Sequence, residues 1–255
     1  MFKLFYVIFM NLFRAPYMIP KMRFWADHPE IYSEEKRYSL VRHVISLMNK
    51  TGNIHTISYG NNNLPKNSGY IMYPNHQGKY DVLGIMNTHL RPCSFVMDKK
   101  KSYTILVREF VDLVDGKRLE INNPRQGMGI ISQVAESVKQ GKAVIIFPEG
   151  GYENNNRNIL SDFKPGSFKI ALKSKVPIVP VALIDSYKVF NAVNFGKIMT
   201  YVHYLEPIYY EEYKGMKTRE IALEVRKRIE QKINEEKLKL EREKKKNNYL
   251  TFKRT

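Results

Sequence analysis

Cysteine is nearly absent: Cys93, in RPCSFVMD, is the single one in 255 residues. That excludes an internal disulfide framework and fits a reducing compartment. There is no CxxC pair and no HExxH run, so a structural or catalytic zinc centre has no support. Cys93 heads an apolar run, where a lone cysteine serves as a small buried hydrophobe sooner than as a catalytic thiol. Long hydrophobic runs are missing as well. The opening MFKLFYVIFMNLF is thirteen residues, interrupted by Lys3 and Asn11, against about twenty needed to span a bilayer. Lys3 is its only charged start and no small-residue cleavage site follows, so it does not read as a secretory signal. Negative charge is also short: 25 Asp and Glu face 42 Lys and Arg, a net +17. That balance favours an anionic partner such as nucleic acid, an acidic membrane surface or a phosphorylated small molecule. The 43% hydrophobic content with 12% aromatics excludes global disorder. The length suits one domain with appendages, and no internal repeat is visible.

The pattern along the chain divides it into an N-terminal helical region (1–50), an α/β domain (51–216) and a charged C-terminal helix and tail (217–255). Pro16 and Pro20 are expected to interrupt any helix behind the apolar start. Arg14, Lys21, Arg23, Phe24 and Trp25 give the basic and aromatic mix that suits a lipid headgroup layer, so the segment reads as an interfacial anchor. The alternative is a helix packed on the core. Ser33 to Met48 has helical spacing of Leu40, Val41, Val44, Ile45 and Met48. NIHTISYG, YIMY, SFVM, AVIIFPEGG and VPIVPVALI read as strands, and KIMTYVHYLEPIYY as a later, half-exposed one. Pro177 and Pro180 suggest an edge, a bulge or a strand start. Helices are expected over DVLGIMNTHL, after Asn123 and Pro124 up to Gly141, after Pro165, and after Thr218 with Ile221, Val225, Ile229 and Ile233 on one stripe. The fold class is thus α/β, a single mixed and mostly parallel sheet flanked by helices.

Chemistry is concentrated in IMYPNHQGKYDVLG, where His76 and Asp81 occupy the polar loop between an apolar strand and the next helix. Such strand ends are common sites in α/β proteins. Taken alone, the pair also fits a surface histidine beside a helix-capping aspartate. About seventy residues on comes FPEGG, and about thirty beyond that VPIVPVAL, each at a strand. Their order and spacing resemble the glycerolipid acyltransferase superfamily, and within it the 1-acyl-sn-glycerol-3-phosphate acyltransferase branch. The resemblance runs from about Tyr70 to Pro207.

Asn75, His76 and Asp81 match the family's Asn-His-x4-Asp motif. The resemblance implies that His76 accepts the proton of an acceptor hydroxyl while Asp81 fixes the ring tautomer, without an acyl-enzyme. The family's second motif carries an arginine for the substrate phosphate. Here Glu120 stands for the preceding aspartate and Ile121 falls on the arginine, which leaves Lys117, Arg118 and Arg125 as substitute cations. In the third motif Glu149 and Gly150 match, whereas Gly151, Tyr152 and Glu153 replace threonine, arginine and serine. Gly150 and Gly151 let backbone approach an anion, Glu149 is expected to position the acceptor or a basic side chain, and Arg157 and Lys164 lie in the same loop region. The fourth motif, Val176 to Val181, is carried by Pro177 and Pro180.

The resemblance therefore implies acyl transfer from acyl-coenzyme A or acyl carrier protein to lysophosphatidic acid, with no bound cofactor or metal. It further implies a peripheral, monotopic location at the cytoplasmic face of an anionic membrane. A related acyltransferase acting on glycerol 3-phosphate or another lysolipid is the near alternative. A basic nucleic-acid-binding protein, prompted by +17 and KLKLEREKKK, lacks any stacking platform or helix-turn-helix signature, so no nucleic-acid partner is expected.

Overall fold

The computed structural model describes residues 2–120, 123–152, 157–191 and 196–252. Helices α1 (Phe2–Met10) and α2 (Ala15–Asp27) precede α3 (Glu34–Gly52), β1 (Ile54–Tyr59), β2 (Tyr70–Pro74) and α4 (Asp81–Thr88). Then come β3 (Cys93–Asp98), α5 (Lys99–Ser102), α6 (Val107–Leu113), β4 (Lys117–Leu119), α7 (Pro124–Lys139) and β5 (Ala143–Ile145). The last third holds α8 (Lys169–Ser174), β6 (Ile178–Ile184), α9 (Lys188–Asn191), β7 (Ile198–Tyr204), α10 (Tyr210–Tyr213) and α11 (Thr218–Phe252).

The strands form one sheet in the order β1-β7-β6-β2-β5-β3-β4. Every neighbouring pair is parallel except β6 with β7. This is the mixed, mostly parallel architecture that the alternating pattern predicts. Because successive strand side chains point to opposite faces, β2, β5 and β6 supply two cores at once. Ile71, Tyr73, Val144, Ile178 and Ala182 pack with Val134 and Val138 of α7 and the Ile221, Val225, Ile229, Ile233 stripe of α11. Tyr70, Met72, Ala143, Ile145, Val179 and Val181 face the other way, onto Met22, Val41, Ile45 and Ile85. Cys93 lies in that second core, where burial pushes its thiol up to about 12 and leaves it unreactive. Asn123 caps α7, its Oδ1 accepting from the Gln126 N–H at 3.1 Å.

Two expectations fail in detail, and a third is narrowed. β6 is interior, between β7 and β2, so its prolines do not mark an edge. Pro177 lies directly before the strand, the strand-start alternative. Pro180 lacks a donor only on the side where its carbonyl accepts from Leu205, beyond the ladder that begins at Val181 and Tyr204. β7 is not half-exposed, because strands cover both its edges and Val202, His203 and Tyr204 are buried. Finally, α2 runs through Pro16 and Pro20. Pro16 occupies the first turn, where its missing N–H has no partner to lose, and Pro20 forgoes a single backbone bond.

The N-terminal pair is attached on one side and bare on the other. Val7 and Met22 are buried, Lys3 Nζ donates to Gly196 O at 3.0 Å, and Arg23 pairs with buried Glu109 at 2.6 Å. Phe2, Phe5, Phe9, Leu12, Phe13 and Tyr17 all face outward, Phe9 and Phe13 with 71% of their surface exposed. The packed side bears out the reading of a helix held on the core, and the exposed side leaves an apolar face free. No helix among the described residues is long and apolar enough to cross a membrane.

Candidate active site

β6, β2 and β5 are parallel neighbours, so their C-terminal ends share one rim. Three loops leave it: residues 75–80 after β2, Phe147 to Tyr152 after β5, and Asp185 to Tyr187 after β6. Asn75 ties the first loop to β6. Its Nδ2 donates to Leu183 O at 3.1 Å while its Oδ1 accepts from the Leu183 N–H at 2.7 Å. With both ends of its amide engaged and the side chain buried, Asn75 is a clamp between strands.

Asp81, fully buried at the start of α4, turns its carboxylate back onto that loop. Oδ2 accepts from the N–H groups of Gln77 at 2.6 Å and Gly78 at 2.9 Å and from His76 Nδ1 at 2.7 Å. An ionised carboxylate only accepts, so Nδ1 carries the proton and the ring's free lone pair is on Nε2. The imidazole is stacked on Phe147, with ring centroids 4.1 Å apart, and met edge-on by Tyr152 at 4.6 Å. Two apolar faces and one carboxylate thus fix its orientation. Tyr152 occupies the position of the family arginine. Burial, with Asp81's charge adding, raises its phenol, so it stays neutral where imidazole works.

Glu149 bridges two loops: Oε1 accepts from the His76 N–H at 2.7 Å and Oε2 from the Ser161 N–H at 3.1 Å. Burial raises its carboxyl, and these donors partly offset the rise. Both oxygens thereby accept from backbone N–H groups, which makes Glu149 a brace for the loop that carries His76. Gly150 has φ +75, and a Cβ there would come within 2.5 Å of Lys164 Nζ. The positive φ calls for glycine, and the Lys164 side chain, which lies against it, is flexible enough to give way to a Cβ. A cleft of about 170 Å³ opens beside the site, walled by Gln77, Tyr152, Ser186, Phe190 and, from α1, Leu4.

The substitute cations are not gathered there. Lys117 and Arg118 lie on β4, three strands from β2, a lateral distance of roughly 14 Å at normal strand spacing. Arg118 is engaged locally, with Asp112 Oδ1 at 2.6 Å and Ser102 Oγ at 3.0 Å. Arg125 is exposed in the first turn of α7. Gly151 is exposed beside Gly150. Ile121 and Glu153 lie outside the described residues.

Four participants were not legible beforehand: Phe147 beneath the imidazole, and Gln77, Asn158 and Ser186 around Asp81. Gln77 Nε2 donates to Asn158 Oδ1 at 2.8 Å and to Leu183 O at 3.0 Å. Ser186 Oγ lies 2.6 Å from Asp81 Oδ1. The usable signal for Ser186 was the polar turn that ends the apolar run VPIVPVALI, the same signal that marks His76.

An acyltransferase family model matches residues 55–184, from β1 to the end of β6. The 1-acyl-sn-glycerol-3-phosphate acyltransferase of Escherichia coli (strain K12) is 30% identical over 179 residues, 70% of this chain and 69% of that protein. The Saccharomyces cerevisiae enzyme of the same name is 29% identical over 69% of this chain; the match spans only 59% of the yeast protein. In three dimensions the chain is similar to the crystal structure of a 1-acyl-sn-glycerophosphate acyltransferase from Thermotoga maritima. The TM-score is 0.72 at 18% identity, over 92% of this chain and 96% of that one, which is a likeness of fold.

Proposed function

The chain belongs to the acyltransferase family, and from that premise we propose that it transfers an acyl group from a thioester to the sn-2 hydroxyl of lysophosphatidic acid, giving phosphatidic acid. The observation that carries the reading is the His76–Asp81 pair, 2.7 Å apart at the rim, with Nδ1 committed and Nε2 left as the base. In this mechanism Nε2 takes the acceptor's hydroxyl proton as its oxygen attacks the thioester carbonyl. Asp81 steadies the imidazolium. The tetrahedral intermediate collapses with cleavage of the C–S bond, and the departing thiolate recovers the proton from the ring. The relatives named for 1-acylglycerol 3-phosphate support this acceptor.

The acceptor's phosphate needs a cation. What supports Lys164 is its ammonium against Gly150, next to Glu149 and two residues from the Tyr152 that stands where the family has arginine. Lys117, Arg118 and Arg125 lie further along the rim and suit the polyanionic donor, coenzyme A or acyl carrier protein. The exposed aromatic stripe of α1 and the net +17 support peripheral, monotopic docking on an anionic membrane at its cytoplasmic face. Leu4 brings that helix to the cleft beside His76, a direct route for an amphiphile.

The test is purified protein in detergent with acyl-coenzyme A or acyl carrier protein thioester and a panel of acceptors. Lysophosphatidic acid should be acylated ahead of glycerol 3-phosphate, lysophosphatidylcholine and monoacylglycerol, and Lys164→Ala should reduce its advantage over monoacylglycerol. Equal use of monoacylglycerol by the wild type would contradict the acceptor assignment.

A further inference from the structure

Asp81 is held from two directions. The donors of its own loop, His76, Gln77 and Gly78, all converge on Oδ2. Oδ1 is met from another strand, by the Ser186 hydroxyl at 2.6 Å. Ser186 is buried and follows Asp185, which takes the left-handed φ +63 at the end of β6. That conformation, tolerable for aspartate, is secured by Asn158. The Asp185 N–H donates to Asn158 Oδ1 at 3.0 Å, and Asn158 Nδ2 donates to Asp185 Oδ1 at 3.1 Å. Asn158 also takes Gln77 Nε2, so one amide locks the turn after β6 to the catalytic loop after β2.

Ser186 Oγ has a second neighbour, Gln77 Oε1, at 2.8 Å. The glutamine's orientation is settled by Leu183 O, which can only accept from its Nε2. The hydroxyl therefore has two acceptors and one proton, and the ionised carboxylate is the stronger claim on it. We propose that Ser186 is a positioning residue for the acyl-transfer reaction, holding Asp81 by Oδ1 so that Oδ2 faces His76 Nδ1. The inference rests on His76 being the base. Its physical content is specific. With that hydroxyl gone, Asp81 keeps a buried oxygen without a donor, its negative charge is shared less, and it stabilises the imidazolium more strongly. The carboxylate also gains freedom to turn.

Other charged and titratable groups near the pair stay in place: Glu149 and Tyr152 from the loop after β5, Lys79 from its own loop, and Asp185 paired with Lys188 at 2.7 Å. A change in pH dependence on losing Ser186 therefore reports on Asp81.

The experiment compares wild type, Ser186→Ala, Ser186→Thr and His76→Ala in mixed micelles of lysophosphatidic acid with acyl-coenzyme A, from about pH 5 to 9. Ser186→Ala should lower kcat about tenfold with KM changed less than about twofold, the order expected for losing a hydrogen bond to a charged group. The acidic limb of its kcat/KM profile should move to higher pH, since the base is protonated over a wider range. Ser186→Thr should restore both. If Ser186→Ala does not fold, Ser186→Cys replaces it, because the thiol fills the site but donates weakly, and the same two changes are expected. An unmoved acidic limb, or a loss that threonine fails to restore, overturns the proposal and leaves Ser186 as packing. Turnover retained by His76→Ala would instead overturn His76 as the base, the premise on which the inference rests.

Discussion

At the rim of β6, β2 and β5 the buried carboxylate of Asp81 receives four hydrogen bonds, whereas α1 and the turn behind it leave Phe2, Phe5, Phe9, Leu12 and Phe13 open to solvent. The two regions meet at one cleft, yet they follow opposite rules. Polar groups that stabilise developing charge work best when already paired and oriented, because nothing then has to reorganise during reaction. An exposed apolar stripe adds little to packing inside the molecule and marks a surface to be covered. The rim's groups are thus paired within the chain, and in the proposed reading a membrane completes the exposed face of the helix pair. Chemistry and location should be separable by mutation.

The largest effect separates them from the chemical side. His76→Ala should cost on the order of 10²–10⁴ in kcat, the usual worth of a positioned base, with vesicle flotation unchanged. Asp81→Asn should lower kcat about 10²-fold or more, with little change in the acceptor's KM, because it disturbs the tautomer and not binding. A variant whose only defect is a raised KM would move Asp81 out of this role.

From the other side, the double variant Phe5→Glu, Phe9→Glu should abolish flotation with phosphatidic-acid-containing vesicles. Each buried phenyl group is worth about 1.5–3 kcal/mol, so two losses amount to a hundredfold or more in binding. If flotation survives in high salt with neutral lipid, the anchor lies elsewhere.

A smaller effect guards against mistaking instability for chemistry. Burial lowers His89 and His203 from 6.5 to about 4. The unfolded chain therefore binds protons below pH 6.5 that the folded chain refuses until about pH 4. This share of stability is intact above 6.5 and is lost as pH falls towards 4. Among the described residues His203 Nε2 has no hydrogen-bond partner, so His203→Phe should raise the thermal midpoint by a few degrees near pH 5, with the stack on Tyr59 kept. The acidic limb of activity should not follow it. If it does, the limb reports unfolding and not the rim.

Regular features were the most legible in the sequence. The continuous apolar run of β6 and the Ile221 to Ile233 stripe describe packing that repeats along an element, and repetition survives without knowledge of partners. β4 was invisible because three residues, Lys117–Leu119, carry no period of their own and form a strand only through β3. Pro180 misled for a related reason: whether a missing donor matters depends on which neighbour faces it. At the site, His76 and Asp81 were readable because both lie in one short loop. Ser186, more than a hundred residues away, reaches Asp81 only because β6 and β2 are adjacent. Glu149 and Asn75 were identified as site residues, but their geometry ties them to backbone, a role that no local pattern distinguishes from substrate binding.

The most direct test of the division between rim and helix pair is turnover on a short-chain lysophosphatidic acid dispersed in water, measured for Phe5→Glu, Phe9→Glu and for His76→Ala beside the wild type. The helix variant should retain near wild-type turnover on this acceptor while losing activity on the same lipid in bilayers, and the His76 variant should be inactive on both. Loss of the dispersed-substrate activity in a folded helix variant would contradict the account, because the rim would then not be complete without the membrane.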